Sequence, residues 1–245
     1  APIADETALL ARDVFGMVLY QGFGQTEALP VCMMGPEEWF SEVEGSEPLR
    51  STGRALPFAY LQIRDPDDST RELPIGAEGE IAVKCDGQML EFWDNAEATA
   101  ERITPDGFVL TGDIGRLDAN GYLYVLDRKD DMIISGGFNI WPAELENVIA
   151  DHPGVVEVAV FSVPDGKWGE TPMAVCSVAD GIAIDDARII DEIRSLCVDR
   201  LGSYKKPTHI ELRAVPLPKS PVGKIQRKVL REPHWVGHDR RVAGN

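Results

Sequence analysis

Basic residues are in short supply in this sequence: 24 lysines and arginines face 41 aspartates and glutamates over 245 residues, a formal charge of -17. A field of that sign repels nucleic-acid backbones and anionic membranes, so those partners are excluded and any anionic ligand must be held by local groups. Long apolar runs are missing as well. None approaches the roughly 20 residues that span a bilayer. The opening residues, APIADETALLARDVFG, carry acids where a secretory leader carries base. Cysteine is sparse: Cys32, Cys85, Cys176 and Cys197 stand far apart, without the close Cys/His spacing of a zinc site. Reduced cysteines with a structural role are expected, in the cytoplasm. What is plentiful is apolar material, 44% of the chain, enough for one large or two modest cores.

The order of patterns divides the chain near residues 127 to 131, giving expected domains 1–127 and 128–245. Residues 5–15 read as a short helix, and Met17 to Tyr20 as a buried strand entering a glycine-rich turn, QGFGQTEA. From about residue 50 to 127 short strands follow one another: FAYLQIRD, GEIAVKC, GFVLTGD, IGRLD and YLYVLD. Asn120-Gly121 marks a hairpin, because both residues tolerate positive φ. That block reads as a small β-barrel or sandwich. Beyond Asp127 strands and helices mix: MIIS, a glycine loop, a helix opened by Pro142, the strands VVEVAVFSV and PMAVCSVA, a helix over DDARIIDEIRSLCVDRLG and the strand HIELRAV. Such an order implies a compact α+β domain. The stretch HWVGHDRRVAGN is polar and unperiodic and reads as a frayed tail.

Four separated segments carry residues suited to chemistry. In Gly22-Phe23-Gly24-Gln25-Thr26-Glu27, glycines admit a ligand close to the backbone. The Thr26 hydroxyl suits a phosphate oxygen, and Glu27 suits a magnesium ion that bridges phosphates. Alone, a Gly-x-Gly turn is more often just a turn. In Thr111-Gly112-Asp113, a carboxylate at a strand end suits the vicinal hydroxyls of a ribose, with an Asx turn as the plain alternative. The run DRKDDMIISGGFNIWPAELENVI offers the planar donors of Arg128, the bare backbone of Gly136-Gly137 and a helix start at Pro142 with Glu144 in its first turn. In LPKSPVGKIQRKVL, Lys224 follows a glycine on a proline-rich loop. Pro218 and Ile225 stand where a Walker loop needs Gly and Ser or Thr, so that motif is excluded.

Together, in this order, the segments resemble the adenylate-forming superfamily of acyl-CoA synthetases, peptide-synthetase adenylation domains and luciferases. QGFGQTE is similar to its Tyr-Gly-x-Thr-Glu segment and GEIAVKCDGQMLEFWDNAEAT to its Gly-Glu-Leu region. FVLTGD resembles its ribose segment, DRKDDMIISGGFNIWPAELE its hinge segment, and PKSPVGKIQRK its C-terminal lysine loop. The resemblance implies Thr26 on phosphate, Glu27 on Mg2+, Gly22 and Gly24 flanking Phe23 against adenine, and Asp113 with Arg128 on the ribose. It implies Asp130 as a hinge, Gly136 and Gly137 beside the pantetheine of coenzyme A, and Lys224 on the acyl carboxylate and α-phosphate. Phe23 stands where the family usually has Tyr, and Asp127 where Gly commonly precedes the arginine. The family's Ser/Thr/Gly-rich phosphate loop is absent, so the resemblance is to the C-terminal portion, expected to be inactive alone.

The implied fold is mixed α/β and α+β: the end of a large N-terminal α/β domain with its β-barrel subdomain, then a small mobile α+β domain. The implied activity is activation of a carboxylic acid by ATP and transfer to coenzyme A, with the N-terminal portion of the same enzyme as partner and homodimerisation left open. DDMIISGGFNIWPAELE is closer to acyl- and aryl-CoA ligases than to peptide-synthetase modules, which favours coenzyme A as acceptor. Loading of a carrier protein and a non-catalytic nucleotide-binding fragment are the competing readings.

Overall fold

The computed structural model describes residue 3, residues 5–221 and residues 223–238. It divides into two compact units, Ala1–Asp130 and Asp131–Asn245. The expected boundary at 127/128 falls short of this division because Arg128 and Lys129 are fastened to Asp113 and Glu80 of the first unit. No helix among the described residues is long and apolar enough to cross a membrane.

The first unit runs α1 (Asp5–Phe15), β1 (Gln21–Gln25), β2 (Ala28–Met34), α2 (Pro36–Trp39), β3 (Arg54–Ala55), β4 (Ala59–Arg64), β5 (Gly79–Cys85), α3 (Ala96–Arg102), β6 (Val109–Leu117) and β7 (Leu123–Arg128). Antiparallel ladders join β1-β2-β3 into one sheet and β4-β5-β6-β7 into another. Their inner faces share one interior, where Ala28, Val31 and Cys32 meet Ile63, Ile81, Val83 and Leu123. The expected barrel is not closed: among the described residues only isolated bridges such as Arg54 to Tyr122 run from the first sheet toward the second. Residues 17–20 are no strand either. Met17, Val18 and Tyr20 are exposed, and the segment expected as a turn is itself β1, closing on β2 through the two residues Thr26 and Glu27 between paired Gln25 and Ala28. At the β6–β7 hairpin only Gly121 takes positive φ (81°). Its amide donates to the Asp118 carbonyl at 3.1 Å and Asp118 pairs with Tyr122, a type I turn followed by a left-handed glycine.

The second unit runs β8 (Ile133–Ser135), β9 (Phe138–Ile140), α4 (Pro142–Ala150), β10 (Val155–Asp165), β11 (Gly169–Val178), α5 (Ala187–Leu201), β12 (His209–Arg213) and α6 (Arg227–Arg231). β11 pairs with β10 along one edge; on the other it takes β12 in parallel and touches β8 at Gly169. The period of two in the central strands feeds two cores. Val160, Ala174, Cys176 and Val178 face α4 and α5. Ala159, Phe161, Val163, Met173 and Val175 face Leu217 and Leu230. Pro142 opens α4, which buries Leu145, Val148 and Ile149 at helical spacing. Asp186 caps α5 by accepting from the Arg188 amide, and Gly202 ends it at φ 88°. β9 lies inside the stretch read as a glycine loop. The frayed tail is overturned in part: Glu232–Trp235 form a 3-10 turn and the Trp235 indole donates to the Ser162 carbonyl at 2.9 Å. Residues 239–245 of that stretch lie outside the described residues. All four cysteines are buried thiols.

Because the cores are separate, Leu145→Ala should cost about 2–5 kcal/mol in the second unit alone. Hydrogen exchange should accelerate across the strands β10 to β12 and leave β4 to β7 at their wild-type rates. Equal acceleration in both units would contradict this division.

Candidate functional site

In the first unit the chemistry gathers at a bulge. Glu80 pairs with Ile114 and Ala82 with Leu110, so Ile81 alone opposes Thr111-Gly112-Asp113. The surplus backbone groups are satisfied by side chains. The buried Thr111 hydroxyl donates to the Ile81 carbonyl at 2.8 Å and accepts the Asp113 amide at 3.1 Å. Gly112, at φ 70°, donates its amide to Oε1 of the buried Glu80 at 3.1 Å. Glu80 Oε2 takes Lys129 Nζ at 2.7 Å. Asp113 thus stands inside β6 and not at a strand end. It lies opposite Arg128 on β7, whose Nε meets its carboxylate at 2.8 Å. Asp113 is buried and Arg128 half-exposed, so the pair presents its polar edge outward.

Gly22, Phe23 and Gly24 lie on β1. Phe23 packs half-buried on the shared interior, and a Cβ at Gly24 would stand 2.5 Å from Cδ1 of the exposed Leu29 and 3.3 Å from the Ala28 carbonyl. Thr26 is exposed and Glu27 half-exposed at the turn, where the Glu27 carbonyl accepts the Met89 amide at 2.8 Å. Among the described residues no three His, Cys, Asp or Glu gather into a metal cage. The donor set at this turn, one carboxylate and a neighbouring hydroxyl, fits a hard cation whose remaining ligands are water and phosphate oxygens, the usual protein share for magnesium.

In the second unit Gly136 and Gly137, at φ 58° and 84°, form the two-residue turn between β8 and β9. A Cβ at Gly136 would lie 2.6 Å from the Trp168 ring. The hairpin is held from behind by buried Glu170, which accepts the Ile134 amide at 2.6 Å. Lys224 is exposed on a tight loop: the Ser220 amide donates to the Lys224 carbonyl at 2.8 Å, the Lys224 amide donates to Ser220 Oγ at 3.2 Å, and the backbones of Lys219 and Ile225 form an antiparallel bridge. Ion pairs occupy its neighbours, Lys219 with Glu157 and Lys228 with Glu232. Among the described residues no acid pairs with Lys224.

Sequence reasoning passed over Glu80, Glu146, Glu170 and Arg227. The first three are acids inside apolar stretches, a signal that each is bound by something. Arg227 forks onto Glu146 with Nε at 2.8 Å and Nη2, while its Nη1 meets Asp131 at 3.1 Å.

Residues 1–93 match the family model described as AMP-binding enzyme, and residues 144–224 match that of the AMP-binding enzyme C-terminal domain. The chain belongs to the AMP-binding enzyme family. The second match ends on Lys224 itself. A long-chain-fatty-acid–CoA ligase of Mycobacterium tuberculosis, FadD13, is 44% identical over 182 residues, 74% of this chain and 34% of that protein. A feruloyl-CoA synthase of Amycolatopsis is 38% identical over 216 residues, 88% of this chain and 41% of that protein. The ATP-bound crystal structure of MatB from Rhodopseudomonas palustris superposes with a TM-score of 0.83 at 31% identity, covering 98% of this chain and 45% of MatB. This AMP-binding family chain therefore spans less than half the length of the relatives it matches.

The lysine loop of this family member is anchored by Glu157, whose other oxygen accepts the Leu217 amide at 2.7 Å. The Lys219 hydrogen bond holds the Glu157 carboxyl below its ordinary 4.5 against burial, and the Leu217 amide adds to the effect. A depressed folded-state value means that the contribution is present above the unfolded value and is lost as pH falls through the folded one. The stability gap between wild type and Glu157→Gln, from urea unfolding at stepped pH, should therefore close as pH falls below the ordinary glutamate range. A gap that stays constant with pH would remove Glu157 as the anchor.

Proposed function

We propose that this chain is the C-terminal portion of an AMP-forming acid–CoA ligase, working with an N-terminal portion that carries the phosphate loop and the acid pocket, in the cytoplasm. The observation that carries the reading is Lys224: an exposed ammonium on a braced loop, without a carboxylate partner among the described residues, flanked by lysines that have one. The names of the relatives support coenzyme A as the acceptor.

The reaction has two halves. In the first, a carboxylate oxygen attacks the α-phosphorus of ATP, the bond to the bridging oxygen breaks, and pyrophosphate leaves with the electron pair. In the second, the thiol of coenzyme A attacks the acyl carbonyl, loses its proton and expels AMP. The obstacle in the first half is the approach of two anions, which cations placed where charge builds up can offset. Lys224 would reach the acyl carboxylate and α-phosphate. Glu27, with the Thr26 hydroxyl on a phosphate oxygen, would hold magnesium, which when bound neutralises phosphate charge. Phe23 between Gly22 and Gly24 would lie toward the adenine, and Asp113 with Arg128 would take the ribose hydroxyls. Residues 1–130 would belong to the adenylating domain and residues 131–245 to a mobile one. That domain turns at Asp130 to exchange the Lys224 loop for the Gly136-Gly137 turn, past which the pantetheine would run.

In the complete ligase, Lys224→Ala should slow adenylation on the order of a hundredfold, about 3 kcal/mol of transition-state stabilisation. Thioester formation from supplied acyl-adenylate should hardly change. Lys219→Ala and Lys228→Ala serve as controls in single-turnover measurements of each half. Equal, mild effects across the three lysines would reduce Lys224 to a solvated surface charge, and a defect confined to thioester formation would reverse its role.

A further inference from the structure

Beside α1 the first unit holds an open cavity of about 670 Å³, and none of the residues assigned above to nucleotide, metal or coenzyme A lines it. Its floor is apolar. Leu9 of α1, Phe40, Val43 and Leu49 reach it half-buried, together with the buried Trp39. The Trp39 indole N–H is spent on the Leu49 carbonyl at 3.1 Å, so that ring offers the cavity only carbon. Its rim is acidic: Glu42, Glu44 and Glu47 are exposed there against a single base, Arg12. Arg12 is answered at 2.9 Å by Asp13, which is not part of the lining, and its guanidinium lies over the Phe40 ring, 5.4 Å from the centroid. Glu47 has Arg50 at 3.7 Å in an exposed contact. Among the described residues no base pairs with Glu42 or Glu44.

The rim is held in place from behind. Val43 and Ser46 form a bridge, closed by the Ser46 amide on the Val43 carbonyl at 3.0 Å, which puts Glu44 at the tip of a turn with Gly45 at φ 78°. Buried Asp118 accepts the Ser46 hydroxyl at 2.7 Å and the Tyr124 hydroxyl at 2.8 Å, and the Tyr124 oxygen takes the Glu47 amide at 2.8 Å. The Asn120 side chain donates to the Glu44 carbonyl at 3.0 Å. Like charges gathered on a braced loop repel one another and add nothing to the fold. A cation arriving among them relieves that repulsion.

We propose that this cavity binds an organic cation with an apolar body, an aryl- or alkylammonium, with its charge among Glu42, Glu44 and Glu47 and its body over Trp39, Phe40 and Val43. The volume is that of a small-molecule site. The Phe40 face already carries one cation, that of Arg12, as the negative face of a ring favours. An anion of the same shape meets three carboxylates and is refused. The site shares no residue with the ligase reading and does not depend on it.

The test titrates this chain at low salt with 4-phenylbutylammonium, and with 4-phenylbutyrate and 4-phenylbutanol as probes of the same body and different charge. In NMR spectra the ammonium should shift the Trp39 indole and the methyl groups of Leu9, Val43 and Leu49 at concentrations where the carboxylate shifts none of them, with the alcohol between. Glu42→Gln combined with Glu44→Gln alters only exposed groups and should weaken the ammonium about fivefold, the order expected of two exposed charge contacts, while leaving the alcohol unchanged. Leu9→Trp, which fills the cavity, should abolish binding; should it lower the unfolding midpoint, the glutamine pair decides alone. Equal affinity for ammonium and carboxylate, shifts scattered away from these residues, or an ammonium affinity indifferent to the glutamine pair would overturn the site. Shifts of the same residues with protein concentration alone would assign the cavity to a second copy of the chain and overturn it too. The complete ligase should bind the ammonium equally well, and loss of binding there would mean that the preceding portion covers the cavity.

Discussion

The first unit depends on one buried carboxylate. Glu80 sits on a strand otherwise filled by Ile81, Ala82 and Val83, where an unpaired charge would cost several kcal/mol. It is tolerable because each oxygen has a donor: the Gly112 amide, stranded by the bulge, and the Lys129 ammonium. The dependence is mutual. Without the bulge Asp113 would follow the ordinary strand alternation; without Glu80 the bulge would bury an amide with no acceptor. The same side chain that shapes the Asp113–Arg128 pair thereby fixes the last residue before Asp130. The bulge at Gly112 and the anchoring of Lys129 are tied to a single glutamate.

The second unit solves a similar problem with arginine. A guanidinium supplies donors in a fixed fork, so Arg227 satisfies Glu146 with two of its nitrogens and Asp131 with the third. A lysine could not do this. Together with Arg231 the cluster is partly shielded from water, a setting where such networks hold better than isolated surface pairs.

Much of this was legible in the sequence, for local reasons. Caps and periodicity marked α4 and α5: Pro142 at a first turn, Asp186 before an apolar stripe, Gly202 behind it. Alternation marked β10 and β11, and glycine pairs marked the turn at Gly136-Gly137. What stayed hidden depended on distant partners. Arg227 and Glu146 are 81 residues apart, and Glu80 and Lys129 49; no local pattern announces either pairing. Residues 17–20 have a strand's composition, but composition needs a neighbouring strand to act on. Barrel closure failed for a related reason, since strand number was readable and the ladder between the sheets was not. Trp235 escaped because one indole bond fastens an otherwise polar stretch.

The lysine loop also roofs the second core, through Leu217, Ile225 and Leu230. This has a consequence for how such a protein can decay over evolutionary time. A descendant relieved of its chemical task could not discard the loop without uncovering Phe161 and Val175, so selection for solubility alone would preserve the segment. The Lys224 ammonium, which no acid among the described residues holds, would be released to drift. A retired copy of this chain would therefore keep Leu217, Ile225 and Leu230 while losing the lysine between them, and a survey of genomes that scores overall likeness would count it among the living.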